Sequence, residues 1–143
     1  MDLLWIALFI AATGGLWWLS SKIEPHYASR DGTRFVANAQ EIIDGRPIGR
    51  MRETRVAVRP DGLLLCSQKK ALRRKGVDFM LIGTSATPPR KLKVYLAHEV
   101  ADGMTSSASE LAIRVPERSR VIAVLDEILA RRALRQPKPP GTP

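Results

Sequence analysis

The chain opens with an apolar run that no later stretch matches in length. No side chain from residue 3 to residue 21 is charged, and most of these residues are Leu, Ile, Ala, Trp or Phe. Nineteen residues at about 1.5 Å rise form a helix of about 28 Å, close to the roughly 30 Å hydrocarbon layer of a bilayer. The pattern predicts a transmembrane anchor in residues 1–23.

A cleaved secretory signal is the main alternative interpretation of this run. Such a signal begins with positive charge, whereas the side-chain charge that precedes this run is that of Asp2. On the other side, Lys22, Arg30 and Arg34 follow the run, so the positive-inside rule places the N-terminus outside and the rest in the cytoplasm. Cys66 agrees weakly, because an exported domain often has paired cysteines. We expect a single-pass protein of the inner (cell) membrane.

Small and aromatic residues within the run suggest contact surfaces. Ala7, Ala11 and Gly15 recur every four residues and share one helix face, which favours helix packing in lipid. Ala and Gly are also common in such helices without any partner. Trp17 and Trp18 fit a membrane-interface belt, with Lys22 beside them, although lipid-facing bulk explains the Trp pair equally well.

Beyond the anchor the pattern changes to short alternating segments. Residues 24–33 look like a linker, and residues 33–43 fit either a strand or a helix. A turn at residues 44–47 precedes a clean alternation over residues 51–59, with Val56 and Val58 facing inward. Residues 60–62 (Pro-Asp-Gly) form a turn into a return strand at residues 63–67.

The second half of the chain continues this pattern and then changes period. Strands are predicted at residues 78–83, 91–100 and 110–115, with a polar loop over residues 101–109. Pro116 is placed in the first turn of a helix, and an apolar stripe follows at helical spacing from Val121 to Leu129. The predicted domain covers residues 34–135, and residues 136–143, with four prolines, form a disordered tail.

Strands followed by one amphipathic helix resemble a pleckstrin-homology-like (PH-like) domain. The matching segments are RETRVAVRPDGLLL, ALRRKGVDFML and ELAIRVPERSRVIAVLDEIL. The whole chain resembles bacterial, actinobacterial-type single-pass membrane proteins that carry such a domain. This implies an α+β fold, in which a mainly antiparallel half-open barrel is closed by the C-terminal helix. Six strands are counted, one short of the usual seven unless residues 33–43 supply it.

Charge gives the best functional indication. The net charge is +9, and all 23 Lys and Arg residues lie from Lys22 onward. Five of the seven residues 69–75 are basic, namely Lys69, Lys70, Arg73, Arg74 and Lys75. Such a cluster near a membrane attracts anionic lipid, and the resemblance implies that basic loops bind phosphoinositide headgroups. A solvated arm without a ligand is the plainer reading. Nucleic acid is disfavoured, since the cluster has no interleaved aromatic residues.

Catalytic patterns are missing from the sequence. His26 and His98 are the two histidines, and neither has a Cys or His at metal-ligand spacing. Cys66 lies in an apolar strand, where a buried thiol is the usual role. We expect no enzyme activity, no cofactor and no metal.

Two functional interpretations follow. In the first, the basic domain holds a protein partner or anionic lipid at the cytoplasmic face of the membrane. In the second, the protein is an accessory subunit of a larger membrane complex, such as a respiratory complex, and contributes to assembly or stability.

Overall fold

A computed structural model describes residues 2–22, 26–68 and 76–136 of the chain. It contains two helices and seven strands within those ranges. In chain order they are α1 (Asp2–Lys22), β1 (Tyr27–Ala28), β2 (Arg34–Ile43), β3 (Arg46–Val58), β4 (Leu64–Gln68), β5 (Val77–Thr84), β6 (Leu92–Ala101), β7 (Met104–Pro116) and α2 (Val121–Arg135).

All the strand pairs are antiparallel, and the meander closes on itself. Each strand pairs with the next, and β2 also pairs with β7 from Asn38↔Arg114 to Ile43↔Ser109. The six strands β2–β7 therefore form a closed barrel, where a half-open one was predicted. β1 occupies the part of the β2 edge that β7 leaves free, with Tyr27 opposite Val36.

Alternation along the strands builds the core as expected. Phe35, Ala37, Ala39 and Val56 point inward and are almost fully buried. The ambiguous residues 33–43 are thus a strand, because their apolar side chains repeat with period two and face the barrel interior. On β7, Leu111, Ile113 and Val115 share the buried face, as the sequence predicts. Val58 is only partly buried, at the end of its strand.

Two predictions from the sequence are wrong, one for the connection between β6 and β7 and one for Pro116. The predicted polar loop at residues 101–109 is a tight hairpin, in which Asp102 and Gly103 have φ of 52° and 76°. Positive φ at both central residues is the type I′ geometry whose twist matches that of the strands. Pro116 is the last residue of β7 and lies outside α2, because its backbone neighbour Glu117 donates to the Lys91 carbonyl oxygen at 3.1 Å.

α2 packs across one end of the barrel. Val121 and Leu125 are fully buried, with Ile122, Ile128 and Leu129 packed beside them. This confirms the predicted apolar stripe. The loop before β2 passes directly against the first turns of α2, because a Cβ added to Gly32 would lie 2.9 Å from Val124 Cγ2.

Polar contacts fix α2 to the strands below it. The Tyr95 hydroxyl donates to Asp126 Oδ1 at 2.8 Å, and Lys93 Nζ donates to the two Asp126 oxygens at 2.8 and 2.9 Å. Burial raises the pKa of Asp126, but the hydrogen bonds from Lys93 and Tyr95 outweigh it and hold the pKa below its ordinary value. Burial together with that carboxylate raises the pKa of Tyr95.

Candidate functional site

α1 is long and apolar enough to cross a membrane. An 18-residue window, Leu3–Ser20, meets that criterion, and none of it is buried against the rest of the protein. Two of its hydroxyls bond within the helix: Ser20 Oγ donates to the Trp17 carbonyl oxygen at 2.9 Å, and Thr13 Oγ1 donates to that of Phe9. Bonding of these two hydroxyls to the helix backbone lowers their cost in a hydrocarbon environment.

The predicted contact residues of α1 lie along its exposed surface. Ala7, Ala11 and Gly15 follow one another at one-turn intervals, and a Cβ added to Gly15 would meet nothing within 4 Å. Trp17 and Trp18 are 75% and 60% exposed near the C-terminal end. Lys22 is the last residue of the helix. These positions leave the stripe open to a neighbouring helix or to lipid, and its role in helix packing stays a prediction.

The predicted basic cluster lies outside the described residues. It comprises Lys69, Lys70, Arg73, Arg74 and Lys75, between the end of β4 and the start of β5. Gly76, which follows it, lies so close to β4 that an added Cβ would come within 2.6 Å of Leu65 Cδ1.

A groove of about 410 Å³ runs over the outer face of β1–β4. We call it the outer groove, and it is lined by Tyr27, Arg34, Phe35, Val36, Arg55, Val56, Ala57, Leu65 and Ser67. The register of the strands explains this lining, because it aligns two rows of outward-facing side chains across the sheet. The rows are Tyr27–Val36–Arg55–Ser67 and Arg34–Ala57–Leu65.

Two guanidinium groups flank this apolar floor. Arg34 is paired with Ala57, and Arg55 with Val36, so the two arginines are diagonal neighbours on adjacent strands. Diagonal neighbours lie about 7–8 Å apart, a separation that long side chains can bridge. Both side chains are exposed. The outer groove thus combines an aliphatic surface with two exposed, neighbouring positive charges, a combination suited to an amphiphilic anion.

A short tether joins the outer groove to α1. His26 already belongs to the domain, because its Nε2 lies 2.6 Å from Ser119 Oγ and its ring packs 6.5 Å from that of Phe35. Only four residue steps separate Lys22 from His26. Even when fully extended, that segment spans at most about 14 Å. Tyr27, at the margin of the outer groove, is one step further.

A second groove of about 400 Å³ lies between α2 and the β3–β4 turn. We call it the helix groove; its lining includes Val58, Leu63, Met80, Val124, Ile128 and the arginines at 59, 131, 132 and 135. Asp61 and Glu127 are the acidic residues of the lining. The remaining lining residues are Pro60 and Gly62, which belong to the turn.

Among the described residues, no cluster of His, Cys, Asp and Glu could hold a metal ion. Cys66 is buried in the core, and burial, with a smaller contribution from Asp78, raises the pKa of its thiol to about 12. His98 Nε2 lies 2.9 Å from Glu110 Oε1, and the two residues face each other across β6 and β7.

Sequence reasoning missed both grooves. The alternation at residues 51–59 identified Val56 as an inward residue, which implies that Arg55 and Ala57 face outward. It could not show that Tyr27 and Leu65 would join them, because the partners of β3 are set by long-range pairing. The sequence did contain one indication of the outer groove, because Tyr27, Arg30 and Arg34 lie within eight residues of one another.

Comparison of the chain with protein-family models, curated proteins and solved structures finds no match.

Proposed function

We propose that this protein is a non-catalytic, single-pass membrane protein whose basic domain binds anionic lipid headgroups through the outer groove. α1 crosses the bilayer in this proposal, and the domain lies on the cytoplasmic side. The observation that carries the proposal is that the outer groove lies only a few residues after α1 in the chain. Its margin, Tyr27, follows an apolar helix by five residues, and its charges are Arg34 and Arg55.

The tether favours a domain that lies on its side against the membrane. Headgroups form a layer of about 5–8 Å on each side of the hydrocarbon. The segment from Lys22 to His26 adds at most about 14 Å. Tyr27 lies opposite Val36 on β2, and β2 continues for at least six more residues to the β2–β3 turn at the other end of the barrel. At 3.3 Å per residue, that turn is about 20 Å further from Tyr27 along the strand. Contact through the side that carries β1 therefore needs less tether than contact through that end.

The chemistry of the groove agrees with this orientation. A lipid phosphate accepts hydrogen bonds from guanidinium groups, often in bidentate geometry. The aliphatic floor formed by Val36, Ala57 and Leu65 suits the glycerol and the upper acyl carbons, and Tyr27 is amphipathic. Each basic residue near an anionic surface contributes about 1 kcal/mol, so the five basic residues within 69–75 would add to the attraction.

Tyrosine nitration of the full-length protein in lipid nanodiscs tests the proposal. The chain has two tyrosines; Tyr27 is 66% exposed, and Tyr95 is fully buried and acts as an internal control. We expect slower nitration of Tyr27 in anionic than in neutral nanodiscs, and loss of that protection in high salt.

Substitutions separate the outer groove from general positive charge. The variant Arg34→Gln/Arg55→Gln should lose the protection of Tyr27, whereas Arg50→Gln/Arg118→Gln, with the same change in charge, should keep it. Equal protection in all three proteins would rule out the outer groove as the lipid site. Equal nitration in neutral and anionic nanodiscs would rule out lipid binding by this face.

The role of accessory subunit stays a prediction. No contact among the described residues favours it over lipid binding, and a native gel of the solubilised protein would reveal a large complex.

A further inference from the structure

The helix groove holds a positive charge that no acidic side chain described in the structure neutralises. Arg132 Nη1 donates to the Leu81 carbonyl oxygen at 2.9 Å, and its Nη2 contacts Met80 Sδ. Both of these partners are neutral. Burial lowers the pKa of Arg132, so this guanidinium has lost part of its hydration. A desolvated cation with neutral partners gains more from an incoming anion than a fully hydrated cation does.

The other charges of the helix groove are largely paired. Arg131 Nη2 lies 2.5 Å from Glu127 Oε1. Arg59 Nε lies 3.3 Å from Asp78 Oδ1. Asp61 Oδ1 accepts the backbone N–H of Leu63 at 3.1 Å, a neutral contact that leaves the carboxylate charged. What remains for a ligand is Arg132 together with the exposed Arg135, which follows it by three residues and shares its side of α2.

The shape of the groove limits the ligand. Its helix wall runs from Val124 to Arg135, about 16 Å at 1.5 Å per residue. An extended chain of about five residues covers that length. Its floor is aliphatic, formed by side chains such as Val58, Leu63 and Ile128, and its cationic end is at the last turn of α2.

We propose that the helix groove binds a short acidic segment of a partner protein, in extended form, with a carboxylate on Arg132 and Arg135 and aliphatic side chains on the floor. This inference does not depend on lipid binding by the outer groove, which is built from different residues. Together with the proposed lipid binding, it would give the domain two binding faces, one for the membrane and one for a protein.

Fluorescence anisotropy tests this with full-length protein in neutral nanodiscs. The probes are labelled pentapeptides in which Asp or Glu alternates with Leu, Ile or Val, and the controls are the same peptides with Asn and Gln. We expect the acidic probes to bind and the amide probes to bind at least about tenfold more weakly, as expected for loss of a charged contact. No binding by any acidic probe up to about 1 mM would overturn the proposal.

Charge reversal on the surface provides the matched variants. Arg135→Glu should lower the affinity for the acidic probes at least about tenfold. Arg118→Glu makes an equal change in charge on an exposed residue outside the groove and should leave the affinity within about twofold. Arg135 is exposed, so folding should be preserved, and circular dichroism checks this. Equal losses in the two variants, or displacement of the probe by anionic lipid, would overturn the proposal.

Discussion

Replacing Leu125 by Ala should cost the domain a large part of its stability. Leu125 is fully buried where α2 meets the barrel. The substitution removes three buried carbons, worth about 2.4 kcal/mol at about 0.8 kcal/mol each. A hydrogen-bonded barrel cannot easily collapse into the space, so a cavity term adds to this. The expected loss is about 3–4 kcal/mol, within the range measured for buried Leu→Ala changes.

Leu134→Ala is the matched control, because it makes the same change in the same helix at a residue that is 88% exposed. It should change the free energy of unfolding by at most about 0.5 kcal/mol. Urea unfolding of the full-length protein in detergent micelles, followed by the far-UV circular dichroism of the strands, gives both values. The three tryptophans lie at residues 5, 17 and 18 of α1, so their fluorescence would not report on the domain. A difference below about 0.5 kcal/mol between the two variants would refute the packing of α2 on the barrel.

Three further predictions concern single residues. Burial lowers the pKa of His26, against a smaller opposing effect of the Val36 backbone, so the unfolded chain binds more protons just below about pH 6.5. Stability should therefore fall as the pH drops through about 6.5, the ordinary pKa of histidine, and His26→Gln should reduce that slope; an unchanged slope in urea titrations would contradict this. The Cys66 thiol, with its pKa raised to about 12 by burial, should resist iodoacetamide until urea unfolds the domain, and labelling of the native protein would contradict its burial. Gly32→Ala should destabilise the domain by about 1–3 kcal/mol in the same urea assay, because φ is 73° and the new Cβ meets Val124; an unchanged stability would contradict that contact.

Local patterns predicted much of the fold. Alternation over residues 51–59 and the turn at Pro60-Asp61-Gly62 predicted the β3–β4 hairpin, since one face of a strand must be apolar to be buried. Helical spacing from Val121 onward predicted the face of α2 that meets the barrel. The hairpin at Asp102-Gly103 was wrongly predicted as a long loop, although Asp-Gly between alternating segments favours a type I′ turn.

Barrel closure and the grooves depend on long-range contacts. Closure requires that β2 pair with β7, and nothing in the sequence of either strand specifies the other. β1 has only two residues, which is too short to give a period, so its pairing with β2 depends on the edge that β7 leaves free. The outer groove could not be predicted for the same reason, because Tyr27 and Leu65 come together only after four strands are in register.

The position of the outer groove relative to the bilayer is the central claim, and a depth measurement tests it most directly. A nitroxide on Ser67→Cys reports from the groove, while Cys66 stays unlabelled because its thiol is buried. Power saturation in anionic bilayers should place this label in the headgroup layer, within about 8 Å of the hydrocarbon. A label equally accessible to an aqueous relaxant in anionic and neutral bilayers would contradict the account.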